Sequence, residues 1–302
     1  MNWRWRRLVR GRVSIGLWVL AGGCGGGAAS GIPGGPGPVA SSNVSSVRGL
    51  GARCEAGERD ACVAWGDEVA AGRQDAAGVS APSLWMRACR QGDDRGCQRI
   101  ARARPGLDEE ARFAALDAGC GSGSGAACAA LGRAHATGAG QSLDHERARE
   151  RFDAACRAGD GAGCAAFARR AEIGLGGPVR PQAAAEAWAR GCTLGDAAAC
   201  IVRGRRIEQG DRTHPPDPAG AFERYRRARA LDREACEGDD AVPAACGRLG
   251  ALLREGSGGP VARREGRALQ TRACLAGDAR GCRALARDTR GRFDPARLPP
   301  GA

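Results

Sequence analysis

The sequence predicts an all-α chain, an α/α solenoid of about seven helical hairpins pinned by disulfides. Three observations carry this. Fourteen of the 15 cysteines fall into seven short pairs. The segments between pairs recur with a period of 36 residues. Each such segment reads as helix, glycine-rich turn, helix. A fixed period of this size marks stacked supersecondary units.

The pairs are Cys54 with Cys62, Cys89 with Cys97, Cys120 with Cys128, Cys156 with Cys164, Cys192 with Cys200, Cys236 with Cys246, and Cys274 with Cys282. Six have seven residues between the cysteines and one has nine. Zinc sites draw ligands from tighter C-x2-4-C knuckles, and only three histidines are present. No metal or cofactor is expected. Redox catalysis uses C-x-x-C, which is also absent. Structural disulfides remain, and they persist in an oxidising compartment.

The residues inside each pair have a consistent logic. Gly57, Gly92, Gly123, Gly159, Gly195 and Gly277 each lie three residues after a first cysteine. Glycine accepts the left-handed conformation that ends a helix. Asp93, Asp160, Asp196 and Asp278 follow it, where a side-chain oxygen caps the next helix. The first cysteine therefore closes one helix and the second opens the next. A tight reversal brings their Cα atoms within disulfide range.

Between Cys128 and Cys156, Cys164 and Cys192, and Cys246 and Cys274 the chain has 27 residues each time. The residues now point to a family. Leu131-Gly132 and Leu249-Gly250 open such segments, and Gly138-Ala139-Gly140 and Gly174-Leu175-Gly176 turn them. One ending is Ala81, Trp85, Ala88 and Cys89; a second is Ala148, Phe152, Ala155 and Cys156; a third is Ala184, Trp188, Gly191 and Cys192. This pattern resembles the Sel-one-like repeat, a relative of the tetratricopeptide repeat, in its cysteine-rich bacterial branch. The resemblance covers roughly residues 46–290. It implies a right-handed superhelix whose hairpins are stapled by disulfides, with scaffold or adaptor roles. Alanine and the aromatic lie four apart, on one helical face, and packing is their expected role.

Departures mark where the array bends the rule. The segment from Cys97 to Cys120 has only 22 intervening residues, with RPGLDEE as a compressed turn. His135 replaces the family's tyrosine and is expected to pack. AFERYRRA (221–228) matches the usual ending, but Arg229 stands where the cysteine belongs and Cys236 comes seven residues later. This predicts a helix longer by about two turns, preceded by the loop THPPDP (213–218).

The chain begins with five arginines in MNWRWRRLVRGR, then the apolar run VSIGLWVLAGG. The run is shorter than the roughly 20 residues that span a bilayer and reads as a secretory signal. It ends Leu20-Ala21-Gly22-Gly23-Cys24, which resembles a bacterial lipobox. The resemblance implies lipidation of Cys24 and a place at the outer membrane facing the periplasm. The expected organisation is signal 1–23, a Gly/Pro/Ser tether 24–45, solenoid 46–290 and a disordered tail 291–302.

All 46 basic residues are arginine and the formal charge is +12. Without lysine there is no P-loop lysine, no Schiff base and no Ser-x-x-Lys acyl-transfer pair. GSGSG (121–125) is not a nucleophile elbow, because no serine there has glycine two residues before it. His145-Glu146 lacks the second histidine of a zincin string, and Arg149 holds that place. Glu109-Glu110 and Asp239-Asp240 read as helix-start or turn acids. The expectation is a non-enzymatic monomer that binds a protein or peptide; the alternative is a cell-wall enzyme with penicillin-binding or β-lactamase-like activity.

One run invites a sharper reading. Arg203, Arg205, Arg206, Arg224, Arg226 and Arg227, with Arg229 and Arg233, form an anion- or partner-binding surface or a solvated helix face. No aromatic platform accompanies them, so nucleic acid is not an expected partner.

Overall fold

A computed structural model describes residues 42–73, 78–102, 108–210, 215–238 and 241–288. Cys24, the signal, most of the tether, the tail and Asp239-Asp240 lie outside these residues. So do Thr213 and His214 of the THPPDP loop and 104–107 of the compressed turn. Among the described residues the structure is entirely helical. In chain order the helices are α1 (Ser42–Glu55), α2 (Arg59–Ala70), α3 (Ala81–Arg90), α4 (Asp94–Arg102), α5 (Glu109–Gly121), α6 (Gly125–Thr137) and α7 (His145–Arg157). They continue as α8 (Gly161–Ile173), α9 (Pro181–Thr193), α10 (Ala197–Gln209), α11 (Pro218–Glu237), α12 (Pro243–Glu255), α13 (Arg263–Leu275) and α14 (Ala279–Asp288). None of the described helices is long and apolar enough to cross a membrane.

Two kinds of connection alternate. The turn from each odd helix to the next even one is short, as at 158–160 between α7 and α8. Glycine turns the chain there: Gly159 has φ 92°. Asp160 then caps α8 by accepting from the Gly163 N–H. Asp196 does the same for α10, accepting from Ala199 N–H. Ser124 takes the aspartate's role at α6.

These geometries bring the cysteines together, and every pair read from the sequence is bonded. Cys54 joins Cys62 between α1 and α2, Cys89 joins Cys97 between α3 and α4, and Cys120 joins Cys128 between α5 and α6. Cys156 joins Cys164 between α7 and α8, and Cys192 joins Cys200 between α9 and α10. Cys236 joins Cys246 between α11 and α12, and Cys274 joins Cys282 between α13 and α14. The Cα separations run from 4.3 to 4.9 Å. The disulfides thus pin the junctions between odd and following even helices.

Longer glycine loops at 138–144, 174–180 and 256–262 join an even helix to the following odd one, and the pairs α2–α3, α6–α7, α8–α9, α10–α11 and α12–α13 pack side by side. The packing unit is an aromatic ring on a glycine. A methyl group on Gly132 would lie 2.9 Å from the Phe152 ring, and one on Gly204 would lie 2.9 Å from the Tyr225 ring. Small residues let the helices approach until the ring fills the gap. Phe152, Trp188 and Tyr225 are buried among Ala148, Ala168, Ala184 and Ala221 in one cluster. Alanine buries little area, at about 25 cal/mol for each Å², so the rings and disulfides carry much of the cohesion.

Helix α11 is 20 residues long against 13 for its neighbours α10 and α12. It serves two registers seven residues apart. Toward the preceding repeat, Tyr225 sits on Gly204, as Phe152 sits on Gly132. Toward the following one, the Arg229 guanidinium donates to the Leu252 and Pro260 carbonyls at 3.0 Å. Arg149 donates to the Pro178 carbonyl at 2.8 Å in the same way. Arg149 and Arg229 each precede their cysteine, Cys156 and Cys236, by seven residues. Arg229 is therefore more than a lost cysteine: it is the loop anchor of the next repeat. Two helical turns nearly preserve the face, so one helix satisfies both.

Candidate functional site: an arginine-lined groove

The even helices contact one another along the array: α2 with α4, α4 with α6, α6 with α8, α8 with α10, and α12 with α14. A cavity of about 360 Å³ opens on this layer between α8, α10, α12 and α14. Its apolar surface comes from Trp188, Ile201, Val202, Ala251 and Leu252. Its charges are Arg169, Arg205, Arg248 and Arg280 against Glu172 and Glu255. A second cavity of about 810 Å³ shares Arg205, Ala251 and Glu255 and adds Arg254, Arg263 and Arg287.

Some of this charge is satisfied internally. Arg248 clamps the fully buried Asp232 with Nε at 3.0 and 3.2 Å from its two oxygens. Glu172 pairs with Arg206, and Arg254 donates to Gln270 at 2.7 Å. Arg169 lies 5.9 Å from the Trp188 ring centroid, close enough for a cation–π attraction. Trp188 is buried, and its indole N–H has no hydrogen-bond partner among the described residues.

Three carboxylates, the caps of α8 and α10 and Asp232 on α11, are shifted by burial. Burial raises Asp196, partly offset by the Ala199 N–H, Arg248 and Arg169. Burial raises Asp160, offset by the Gly163 N–H and Arg133. Asp232 is raised for the same first reason, against Arg248. The Tyr225 hydroxyl is raised by burial and by its 2.8 Å hydrogen bond to Glu208.

The structure divides the arginine run read from the sequence. Arg205 lines the groove. Arg206 is paired with Glu172, Arg226 with Glu223, and Arg233 with Glu237 and Glu265. Arg227 donates to the Thr193 carbonyl at 2.9 Å. Arg203 is lowered by burial and by the neighbouring Arg224. The run therefore divides between helices α10 and α11, with Arg203 and Arg224 neighbouring one another across them. Arg169, Arg248 and Arg280 were missed because they come from other repeats. For Arg169 a signal was present: arginine lies five residues after the second cysteine at Arg102, Arg133, Arg169, Arg205 and Arg287, counted from Cys97, Cys128, Cys164, Cys200 and Cys282.

The other residues singled out in the sequence take structural places. Ser124 is buried, donates to Asp94 and caps α6 by accepting from Ala127 N–H at 3.1 Å. His135 is buried with Nδ1 3.5 Å from the Ser142 carbonyl. Glu109 and Glu110 open α5, where Arg112 pairs with Glu109 at 3.0 Å. They line a cavity of about 870 Å³ with Asp117 and Glu150, and Asp117 is paired with Arg151 at 2.9 Å. Among the described residues no group of three or more His, Cys, Asp or Glu is placed to hold a metal.

Comparison with solved structures decides the fold. A protective antigen of uropathogenic Escherichia coli displaying an SLR fold matches with TM-score 0.50 and 19% identity, over 82% of this chain and 53% of its own. A Sel1 repeat protein from Oxalobacter formigenes matches with TM-score 0.52 and 19% identity, over 76% of this chain and 65% of its own. The fold is a Sel1-type repeat solenoid. The chain spans about half the length of the first and under two thirds of the second. No protein-family model matches the chain, and no curated protein does.

Proposed function

We propose that this chain is a lipid-anchored envelope protein whose repeat array is a scaffold for a protein or peptide partner. The observation that carries the binding role is the groove across α8, α10, α12 and α14, where exposed guanidinium groups surround an apolar floor. A site assembled from four helices of successive repeats suits an extended ligand better than a small substrate. The lipobox-like Leu20–Cys24 and the seven disulfides support export to an oxidising compartment. The signal 1–23 then directs export and is removed, the tether 24–45 hangs the array from the membrane at Cys24, and the protein acts as a monomer without a cofactor.

Photo-crosslinking in the intact envelope tests the binding role. A photoreactive residue at Val202 is expected to capture a discrete partner, whereas one at Ala183 on α9 is not. Equal capture from both positions, or none from Val202, would reject the groove as the binding face. Anchoring is tested separately. Cys24→Ala is expected to release the protein from the membrane fraction and remove the lipid mass; unchanged fractionation would reject the anchor.

A further inference from the structure

Successive equivalents of one repeat position fall in register along a solenoid. The position five residues after the second cysteine carries Arg102, Arg133, Arg169, Arg205 and Arg287, with Asp67 in the first repeat and Ala251 in the remaining late one. The structure brings members of this series together. Arg133 feels the charge of Asp160 and, less strongly, that of Arg102. Arg169 and Arg205 line one cavity, and Arg205 and Arg287 line the next. Where Ala251 breaks the series, the apolar cavity opens beside it.

Carboxylates offset part of the charge along this line, Asp160 at Arg133 and Asp196 at Arg169. Arg133, Arg169, Arg205, Arg280 and Arg287 are exposed, and none of their guanidinium groups has a hydrogen bond or ion pair to a described residue. Seven arginines line the two adjoining cavities against two glutamates, Glu172 and Glu255, with Arg248 held by the buried Asp232 and Arg254 by Gln270. Glu172 is neutralised by Arg206, which leaves Glu255 as the acidic group facing the ligand. Guanidinium groups that share a groove repel one another and favour a polyanionic partner. Arginine also presents a planar fork that fits a carboxylate in bidentate fashion. The floor adds a second demand: Ile201, Val202, Ala251 and Leu252 offer contact to an apolar side chain. The buried, unpartnered indole N–H of Trp188 lies in the same wall.

We infer that this arginine column binds an extended acidic peptide segment, with one apolar side chain of that segment seated beside Ala251. The inference rests on the scaffold reading and names its ligand class. An acidic segment lies along the column with carboxylates on Arg169, Arg205 and Arg287, while its apolar residue displaces water from the cavity between them.

The test uses the mature chain and a fluorescent probe peptide, acetyl-Glu-Glu-Leu-Glu-Glu, read by anisotropy. Saturable binding that weakens with salt is expected. Arg205→Glu with Arg287→Glu weakens it on the order of tenfold or more, while Arg205→Lys with Arg287→Lys keeps most of it. Ala251→Trp fills the cavity and removes the preference for leucine over alanine at the central position. Equal binding of a Lys-Lys-Leu-Lys-Lys probe, or charge-reversal variants that bind within twofold of the parent, would overturn the inference. So would no binding of the acidic probe, with the scaffold reading still answered by the crosslinks from Val202. Vesicles of anionic phosphatidylglycerol form the other arm: if they, and not the peptide, are bound through Arg205 and Arg287, the ligand is a lipid surface and the peptide inference fails.

Discussion

Replacing Cys156 and Cys164 together with alanine removes one staple from the middle of the array. The two residues are 4.3 Å apart at Cα and both are buried, with seven residues between them. Closing so short a loop restricts the unfolded chain by about 2.5 kcal/mol in the chain-entropy model. The folded turn keeps its other fasteners, because Gly159 still supplies the left-handed residue and Asp160 still caps α8. The loss is therefore expected to be close to the entropic value, with a small addition for the space the two sulfurs vacate. For an array of this size 1 kcal/mol moves the midpoint by about 2–4 °C, so the melting temperature falls by about 5–10 °C. Circular dichroism at 222 nm, with and without reductant, measures it. The parent under reductant is expected to lose far more than the variant does under oxidising conditions, because all seven bonds open. A midpoint shift below about 2 °C in the variant would refute the reasoning that the staples, with an alanine-rich core, hold the array.

Other perturbations separate the remaining contributions. Gly176→Ala drives a methyl into the His145 backbone carbonyl at φ 79°, whereas Gly159→Ala meets nothing within 4 Å at φ 92°. Both lose about 1–2 kcal/mol to the left-handed backbone, and Gly176→Ala loses a further 1–3 kcal/mol or so to the clash; equal chemical-denaturation midpoints would contradict this. Arg229→Ala takes the guanidinium from the Leu252 and Pro260 carbonyls, and hydrogen exchange at 256–262 is expected to quicken while α7 is unchanged. Asp196→Asn keeps the cap but removes a carboxyl whose pKa burial has raised. That carboxyl binds its proton more tightly folded than unfolded, so its ionised form detracts from stability above the raised value. The detriment disappears as pH falls toward the ordinary aspartate range near 3.9. The asparagine variant should therefore melt higher than the parent at about pH 7 and converge with it near pH 4; an advantage that persists near pH 4 would refute the assignment. Purified protein is also expected to leave nitrocefin unhydrolysed, and saturable turnover would revive the cell-wall enzyme alternative.

The architecture was legible because its signals are local. Cysteine, glycine and aspartate at fixed offsets describe one turn, and Gly159 and Asp160 do in space what their order implies. The long helix α11 was equally readable from the seven-residue delay of Cys236. What the sequence hid depends on stacking. Arg229 looked like a missing cysteine until the structure placed Pro260 of the next hairpin against it. Arg203 to Arg227 looked like one patch because they are close in the chain, yet α10 and α11 divide them between different partners. The groove reverses that case: Arg169, Arg205 and Arg287 are far apart in sequence, yet Arg169 shares one cavity with Arg205 and Arg287 shares the next, each from the same repeat position.

The cohesion of the array rests on neighbouring helices being joined at every short turn. Peptide mapping of the non-reduced, alkylated protein from its native compartment tests this most directly. Seven linkages are predicted, each between cysteines adjacent in sequence, from Cys54–Cys62 to Cys274–Cys282 and including the longer Cys236–Cys246 loop, with none of these 14 thiols alkylated. Alkylated cysteines among the 14, or a bond joining distant repeats, would contradict it.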